Sequence, residues 1–188
     1  MALPARVRGT AYELACQREL QRMLGAVLVH SGGTNDGGVD LSGWWTPMRD
    51  RVRVLVQCKA EAKKVGPAYV RELEGTALRA AWDRSRLRTE EAYIPTAMPL
   101  GVLASASGFS RAALLYAQSS QVPLALIHLS GTGSGAAEFD TLKCHGLVWN
   151  DALSGPNGIL KGHFEQRWSL HTSSPILLLD GHPIAAAS

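Results

Sequence analysis

An acidic residue and a lysine lie within apolar stretches that are typical of strands. The glycine-rich stretch GGTNDGGVD ends in Asp40, which stands between two aliphatic residues. The apolar run VRVLVQCKA (52–60) contains Lys59. Charged side chains are costly to bury unless they have a partner. Asp40 and Lys59 are therefore candidate active-site residues. Asp36, in the same glycine-rich stretch, is interpreted as a turn residue, because glycine–aspartate clusters usually form turns.

Strand geometry predicts how these side chains are arranged. Alternation along residues 52–60 places Gln57 and Lys59 on one face of the strand and the intervening apolar side chains on the other. A hairpin-like connection would lay this strand antiparallel to the one that contains Asp40, so that Asp40 and Lys59 meet on one face of the sheet. If a divalent cation joins them, the Asp40 carboxylate is the oxygen ligand that Mg²⁺ prefers. Lys59 would then steady an attacking water or a phosphate.

The rest of the chain predicts an α/β frame for these residues. Helical periodicity is found at 9–24, 65–84 and 110–120, whereas short runs rich in β-branched or apolar residues predict strands at 26–30, 37–45, 52–60, 101–106 and 122–129. This order indicates a mixed central sheet flanked by helices. We expect a single domain over 1–188, with a core at about 9–130 and a C-terminal extension at about 131–188.

Composition limits the classes of function. The net charge of +3 permits a polyanionic partner without demonstrating one. No apolar run is long enough to span a bilayer, so no membrane partner is expected. Three widely spaced cysteines favour free thiols in a reducing compartment. Metal-ligand spacing is lacking around Cys144, His145, His163 and His171, so structural or surface roles are expected for them.

Several motifs in order resemble a known family. They are Tyr12-Glu13 on the first helix, GGTNDGGVD, Gln57-Cys58-Lys59, VRELEG (70–75) and GVLASASGFS (101–110). Over residues 9–130 the chain resembles the PD-(D/E)XK nuclease superfamily, and within it the Mrr-type restriction-endonuclease-like group. The GWW, VRELEG and LVWN pieces are most similar to a fungal mitochondrial branch, the required-for-respiratory-growth nuclease-like family.

This resemblance implies a restriction-endonuclease-like fold, a DNA substrate and Mg²⁺-dependent hydrolysis of phosphodiester bonds, with Mn²⁺ as a substitute. It implies that the metal is held by Asp40, Gln57, Glu13 and the backbone carbonyl of Cys58, and that Lys59 is the motif lysine. Gln57 stands where most of the superfamily has a carboxylate, so Glu13 is expected to supply the missing charge. A mitochondrial location and a role in genome maintenance or recombination are implied in the same way.

Basic residues on either side of the second helix are the candidates for DNA contact. Lys63 and Lys64 follow the catalytic strand and are expected to line a phosphate groove. Arg84, Arg86 and Arg88 form a second candidate, with ordinary solvation as the alternative. The sequence does not decide between a monomer and a homodimer, or which DNA structure is preferred.

Two other classes of function stay open. The first is a catalytically silent nucleic-acid-binding protein with the same fold, which the neutral side chain of Gln57 favours. The second is an assembly factor that uses the fold only as a scaffold. Trp44 and Trp45 either stack on exposed bases or belong to the core and its rim, and we favour the core.

Overall fold

The computed structural model describes residues 4–31, 38–48, 51–86, 98–169 and 174–184. Its helices are α1 (Ala5–Leu24), α2 (Pro67–Arg86), α3 (Arg111–Ser119) and α4 (Asp151–Ser154), with a 3-10 turn at Gly135–Ala137. The strands are β1 (Val27–His30), β2 (Leu41–Trp45), β3 (Val52–Lys59), β4 (Leu100–Ser105), β5 (Leu124–Gly131), β6 (Leu142–Trp149), β7 (Phe164–Ser169), β8 (Ser174–Leu179) and β9 (His182–Pro183). No helix in the described ranges combines the length and the apolar character needed to cross a membrane.

Strands β1 to β6 form one mixed sheet, in chain order from edge to edge. Strands β3, β4 and β5 run parallel to one another, while β1–β2, β2–β3 and β5–β6 are antiparallel pairs. The mixed α/β architecture expected from the sequence is confirmed, and so is the antiparallel pairing of β2 with β3. Leu41 lies opposite Val56, and Asp40 comes immediately before this pair.

Helices cover both faces of the sheet because β3 is apolar on each of them. Val54 and Val56 pack with α1, whereas Leu55 packs with α2 and α3. Burying an aliphatic side chain of this kind stabilises the fold by about 1.5–3 kcal/mol. Helix α1 ends at Gly25, which has a φ of 65° and donates its N–H to the carbonyl of Gln21. A left-handed glycine is a common way to end a helix, and here it turns the chain into β1.

The segment after residue 130 contributes to the same core. Strand β6 pairs with β5 as the last strand of the central sheet. Strands β7 to β9 form a separate three-stranded sheet, and Phe164 and Leu177 from it pack into the core on the α1 side. The C-terminal extension therefore both widens the central sheet and covers one of its faces.

The two tryptophans of β2 have different surroundings. Trp45 is buried, and its indole N–H donates to the carbonyl of Leu24 at 2.7 Å. Trp44 is half-buried, and its ring lies 4.9 Å from the guanidinium carbon of Arg51. The preference for a role in the core is therefore confirmed for Trp45.

Candidate active site

Asp40 is fixed at the point where the chain enters β2. Its N–H donates to the carbonyl of Val56 at 2.9 Å, and its own carbonyl accepts from the N–H of Ser31 at 2.8 Å. One carboxylate oxygen accepts from the N–H of Cys58 at 2.6 Å. These contacts hold the carboxylate at the end of β3, and an ionised carboxylate has further lone pairs with which to bind a cation.

Gln57 presents a buried oxygen that lacks a hydrogen-bond partner among the described residues. The side chain is buried, and its Nε2 donates to Oε1 of Glu72 on α2 at 3.0 Å. A buried polar atom without a partner costs about 1–3 kcal/mol, so the Oε1 atom requires an explanation. An amide oxygen is one of the hard donors that Mg²⁺ and related cations accept. The Oε1 atom of Gln57 is therefore one oxygen donor of the type that a divalent cation accepts.

Gly38 brings the turn before β2 into contact with this pair. Its φ is +81°, and an added Cβ would lie 2.7 Å from Oε1 of Glu72 and 3.0 Å from Nε2 of Gln57. Only glycine satisfies both the backbone conformation and the close approach. The segment that delivers Asp40 therefore passes directly over Gln57 and Glu72.

Glu13 reaches the same strand end from α1. Its Oε2 lies 2.7 Å from Nε2 of His30, the last residue of β1. A hydrogen bond with Cys16 and burial raise the pKa of the Cys58 thiol well above its ordinary value, and the negative charges of Asp40 and Glu13 raise it further. The Cys58 thiol therefore favours its protonated form at neutral pH.

Lys59 lies on the α2 side of the sheet. Its Nζ is 4.4 Å from the centre of the Tyr69 ring, and the Tyr69 hydroxyl donates to Glu61 at 2.6 Å. Gln57 and Lys59 both contact α2, which confirms the alternation expected along β3. The expected contact between Asp40 and Lys59 stays a prediction.

Within the described ranges, no three histidine, cysteine or acidic side chains are grouped so that they could hold a metal ion. The set expected from the sequence contains only two carboxylates, those of Glu13 and Asp40. Binding of a cation here would therefore depend on the amide oxygen of Gln57 and on backbone carbonyls as well.

Comparison with known proteins assigns the chain to a family. A family model described as restriction endonuclease, of the Mrr catalytic type, matches residues 5–131. The chain belongs to this Mrr-type restriction endonuclease family. The matched range runs from the start of α1 to the end of β5, and it includes Glu13, Asp40, Gln57 and Lys59.

Among curated proteins, the chain is 31% identical over 146 residues to an uncharacterized mitochondrial protein of Schizosaccharomyces pombe. The alignment covers 76% of this chain and 50% of that protein, so the chain spans about half the length of the relative it matches. No solved structure matches the chain.

The basic residues expected to contact DNA lie beyond the Mrr-type strand motif. Lys63 and Lys64 are exposed in the segment between β3 and α2, where the Lys63 carbonyl accepts from Ser107 Oγ at 2.5 Å. Arg84 and Arg86 lie in the last turn of α2, with side chains outside the described part of the chain. Arg88 and Asp36 lie outside the described residues altogether.

Three residues near the site were missed by the sequence reasoning: His30, Tyr69 and Glu72. Tyr69 and Glu72 are one helical turn apart on α2, so they share the face that meets the end of β3. That spacing was visible in AYVRELEG, but the partner of each side chain was not. His30 became recognisable only once the β1–β2 pairing had placed it beside α1.

A substitution at Gly38 tests the close approach. Gly38→Ala should lower the free energy of unfolding by at least about 1–2 kcal/mol, because the positive φ strains any residue with a Cβ, and it should displace Glu72 from Gln57. Gly75→Ala is the matched control, since an added Cβ at Gly75 in α2 meets nothing within 4 Å. The control should gain about 0.5–1 kcal/mol. Equal effects of the two substitutions in thermal melts would contradict this geometry.

Proposed function

We propose that this chain is a divalent-metal-dependent deoxyribonuclease that hydrolyses phosphodiester bonds. The observation that carries the proposal is the buried Oε1 of Gln57, unpartnered within the described residues, at the strand end where Asp40 is also held. This strand end lies within the range that the Mrr-type family model matches. Asp40, Gln57, Glu13 and the carbonyl of Cys58 would hold Mg²⁺, with Mn²⁺ as a substitute.

Each residue has a distinct part in the proposed reaction. The bound cation would supply Lewis acidity toward a phosphoryl oxygen and lower the pKa of an attacking water. Asp40 and Gln57 fix its position from the two neighbouring strands. Lys59, held on the α2 side by Tyr69, stabilises the negative charge that develops on the phosphate or the nucleophile. Water forms the new bond to phosphorus and the bond to the 3′ oxygen breaks, leaving a 5′-phosphate and a 3′-hydroxyl.

A second candidate is a nucleic-acid-binding protein without turnover. It is favoured by the neutral side chain of Gln57 and by the engagement of Glu13 with His30. A cleavage assay with Mg²⁺ or Mn²⁺ on plasmid, linear, single-stranded and branched DNA separates the candidates. Metal-dependent cutting supports the nuclease, whereas binding that weakens with salt and never leads to cutting supports the second candidate.

We also propose that the full-length protein acts in mitochondria, in maintenance or recombination of their DNA. The support is the name of the Schizosaccharomyces pombe relative, which describes that protein as mitochondrial. Fluorescence imaging of the tagged full-length protein tests the location. A signal that is excluded from mitochondria would contradict the proposal without affecting the proposed chemistry.

Lys63 and Lys64 are proposed to contact DNA phosphates near the scissile bond. Lys63→Gln/Lys64→Gln should reduce the slope of log affinity against log salt by about two units at most, because each lost phosphate contact removes about one released counterion. Affinity should fall equally for all sequences, since phosphate contacts carry no base information.

Lys161→Gln/Arg167→Gln serves as the charge-matched control, because both residues are exposed and lie outside the range that the family model matches. The salt slope is measured by fluorescence anisotropy for both double variants. If both slopes change by the same amount, Lys63 and Lys64 contribute only to the overall charge.

A further inference from the structure

The side chain of Gln57 is hydrogen-bonded to the carboxylate of Glu72. An amide has one end that donates and one that accepts, whereas an ionised carboxylate only accepts. The contact of 3.0 Å with Glu72 therefore requires that Nε2 of Gln57 point toward α2. The Oε1 atom must point away from Glu72, and it is the buried oxygen that lacks a partner among the described residues.

Gly38, two residues before Asp40, lies against this pair. A Cβ at Gly38 would lie 2.7 Å from Oε1 of Glu72 and 3.0 Å from Nε2 of Gln57, so these side chains would have to shift. The buried amide of Gln57 thus lies between β3, α2 and Gly38. Rotation of the amide by half a turn would set its oxygen against the Glu72 carboxylate, which is repulsive, so one orientation is strongly preferred.

We propose that Glu72 is a positioning residue that turns the oxygen of Gln57 toward the metal. The inference rests on the proposed function, because it assigns Gln57 Oε1 to a bound cation. A hydrogen bond from outside the ligand set fixes the orientation of a ligand and raises its basicity, and losing one typically costs about 10–100-fold in metal affinity. In this role Glu72 acts through Gln57 and does not touch the metal itself.

Calorimetric titration of the DNA-free protein with Mn²⁺ tests this role. Glu72→Gln should weaken Mn²⁺ binding about 10–100-fold, because an amide at position 72 can pair with either end of Gln57 and no longer fixes its orientation. Glu74→Gln is the matched control on the same helix. Glu74 accepts from the hydroxyls of Tyr116 and Ser120, so the control should lower stability and leave Mn²⁺ affinity unchanged.

An exchange of donor and acceptor gives a sharper test. Gln57→Glu alone sets two carboxylates against each other and should also weaken Mn²⁺ binding. The double variant Q57E/E72Q restores a hydrogen bond of opposite polarity and leaves one carboxylate oxygen free, so it should bind Mn²⁺ more tightly than either single variant. If Glu72 were itself a ligand, the Gln57→Glu protein would bind Mn²⁺ at least as tightly as the wild type. The double variant would then bind Mn²⁺ no more tightly than Gln57→Glu. That pattern would overturn the proposal.

A spectroscopic measurement on the metal-free protein separates this inference from the proposed function. In ¹⁵N spectra, Glu72→Gln should shift the side-chain amide signal of Gln57 and speed its hydrogen exchange, while Glu74→Gln should not. A wild-type protein that binds Mn²⁺ and cuts DNA, with Glu72→Gln binding equally well, would overturn only the positioning role. A wild-type protein that binds neither Mg²⁺ nor Mn²⁺ would overturn the proposed function. The assignment of Gln57 to a metal would fall with it, even if Glu72 still orders the Gln57 amide.

Discussion

Asp40→Asn is expected to lower the rate of metal-dependent DNA cleavage by about 1000-fold or more. The substitution removes the carboxylate charge from a cation whose stabilisation of the transition state is worth several kcal/mol, and about 4 kcal/mol corresponds to about 1000-fold in rate. An asparagine keeps an oxygen that can still accept from the N–H of Cys58, so the fold should persist. Cleavage of a plasmid and binding of Mn²⁺ should both be lost.

DNA affinity is the control for this substitution. Without metal, Asp40→Asn should bind DNA at least as well as the wild-type protein, because it removes one negative charge next to the phosphates. Circular dichroism and thermal melts establish that the variant is folded. An Asp40→Asn protein that is folded and cuts at the wild-type rate would remove Asp40 from the metal site.

Asn150→Ala is expected to lower the free energy of unfolding by about 4 kcal/mol. Asn150 is buried, and its Nδ2 donates to the carbonyls of Ala117, Ser120 and Val122 at 3.1, 3.0 and 2.7 Å. Its Oδ1 accepts from the N–H groups of Leu124 and Leu153 at 3.0 and 3.3 Å. The substitution removes these hydrogen bonds from backbone groups at the end of α3 and the start of β5.

Thermal melts measure this effect. For a chain of this length, about 4 kcal/mol corresponds to a fall of about 8–16 °C in the midpoint. Ser110→Ala is the control, because Ser110 caps α3 with a single hydrogen bond to the N–H of Ala113 and should cost about 1 kcal/mol. Equal shifts for the two variants would show that the bonds made by Asn150 add little beyond an ordinary helix cap.

The central sheet could be predicted from local pattern because its strands are apolar and short. Alternation along β3 correctly placed Gln57 and Lys59 on one face, and β2 was correctly laid antiparallel to β3. Strand β6 was not predicted. The sequence LKCHGLVW has polar residues and a glycine between its apolar positions, because β6 is an edge strand with exposed positions such as Lys143 and His145.

The partners of the site residues could not be predicted, because they depend on side-chain geometry between elements far apart in sequence. Gly38 was placed in a strand predicted over 37–45, whereas β2 begins at Leu41, and the contact of Gly38 with Glu72 requires the packing of α2 against β3. In the same way, the pairing of Glu13 with His30 follows from the placement of α1 beside β1. Motif spacing indicates the candidate ligands, whereas only the fold shows the hydrogen-bond partners of their side chains.

The initial rate of supercoiled-plasmid cleavage, measured on purified protein against Mg²⁺ concentration, tests the proposed nuclease most directly. We expect no cutting in excess chelator, a rate that rises and saturates with Mg²⁺, and products that carry 5′-phosphate and 3′-hydroxyl ends. The Asp40→Asn protein, purified in parallel, should stay at the chelator baseline throughout. Folded wild-type protein that binds the plasmid and leaves it intact at every Mg²⁺ and Mn²⁺ concentration would contradict the proposed nuclease.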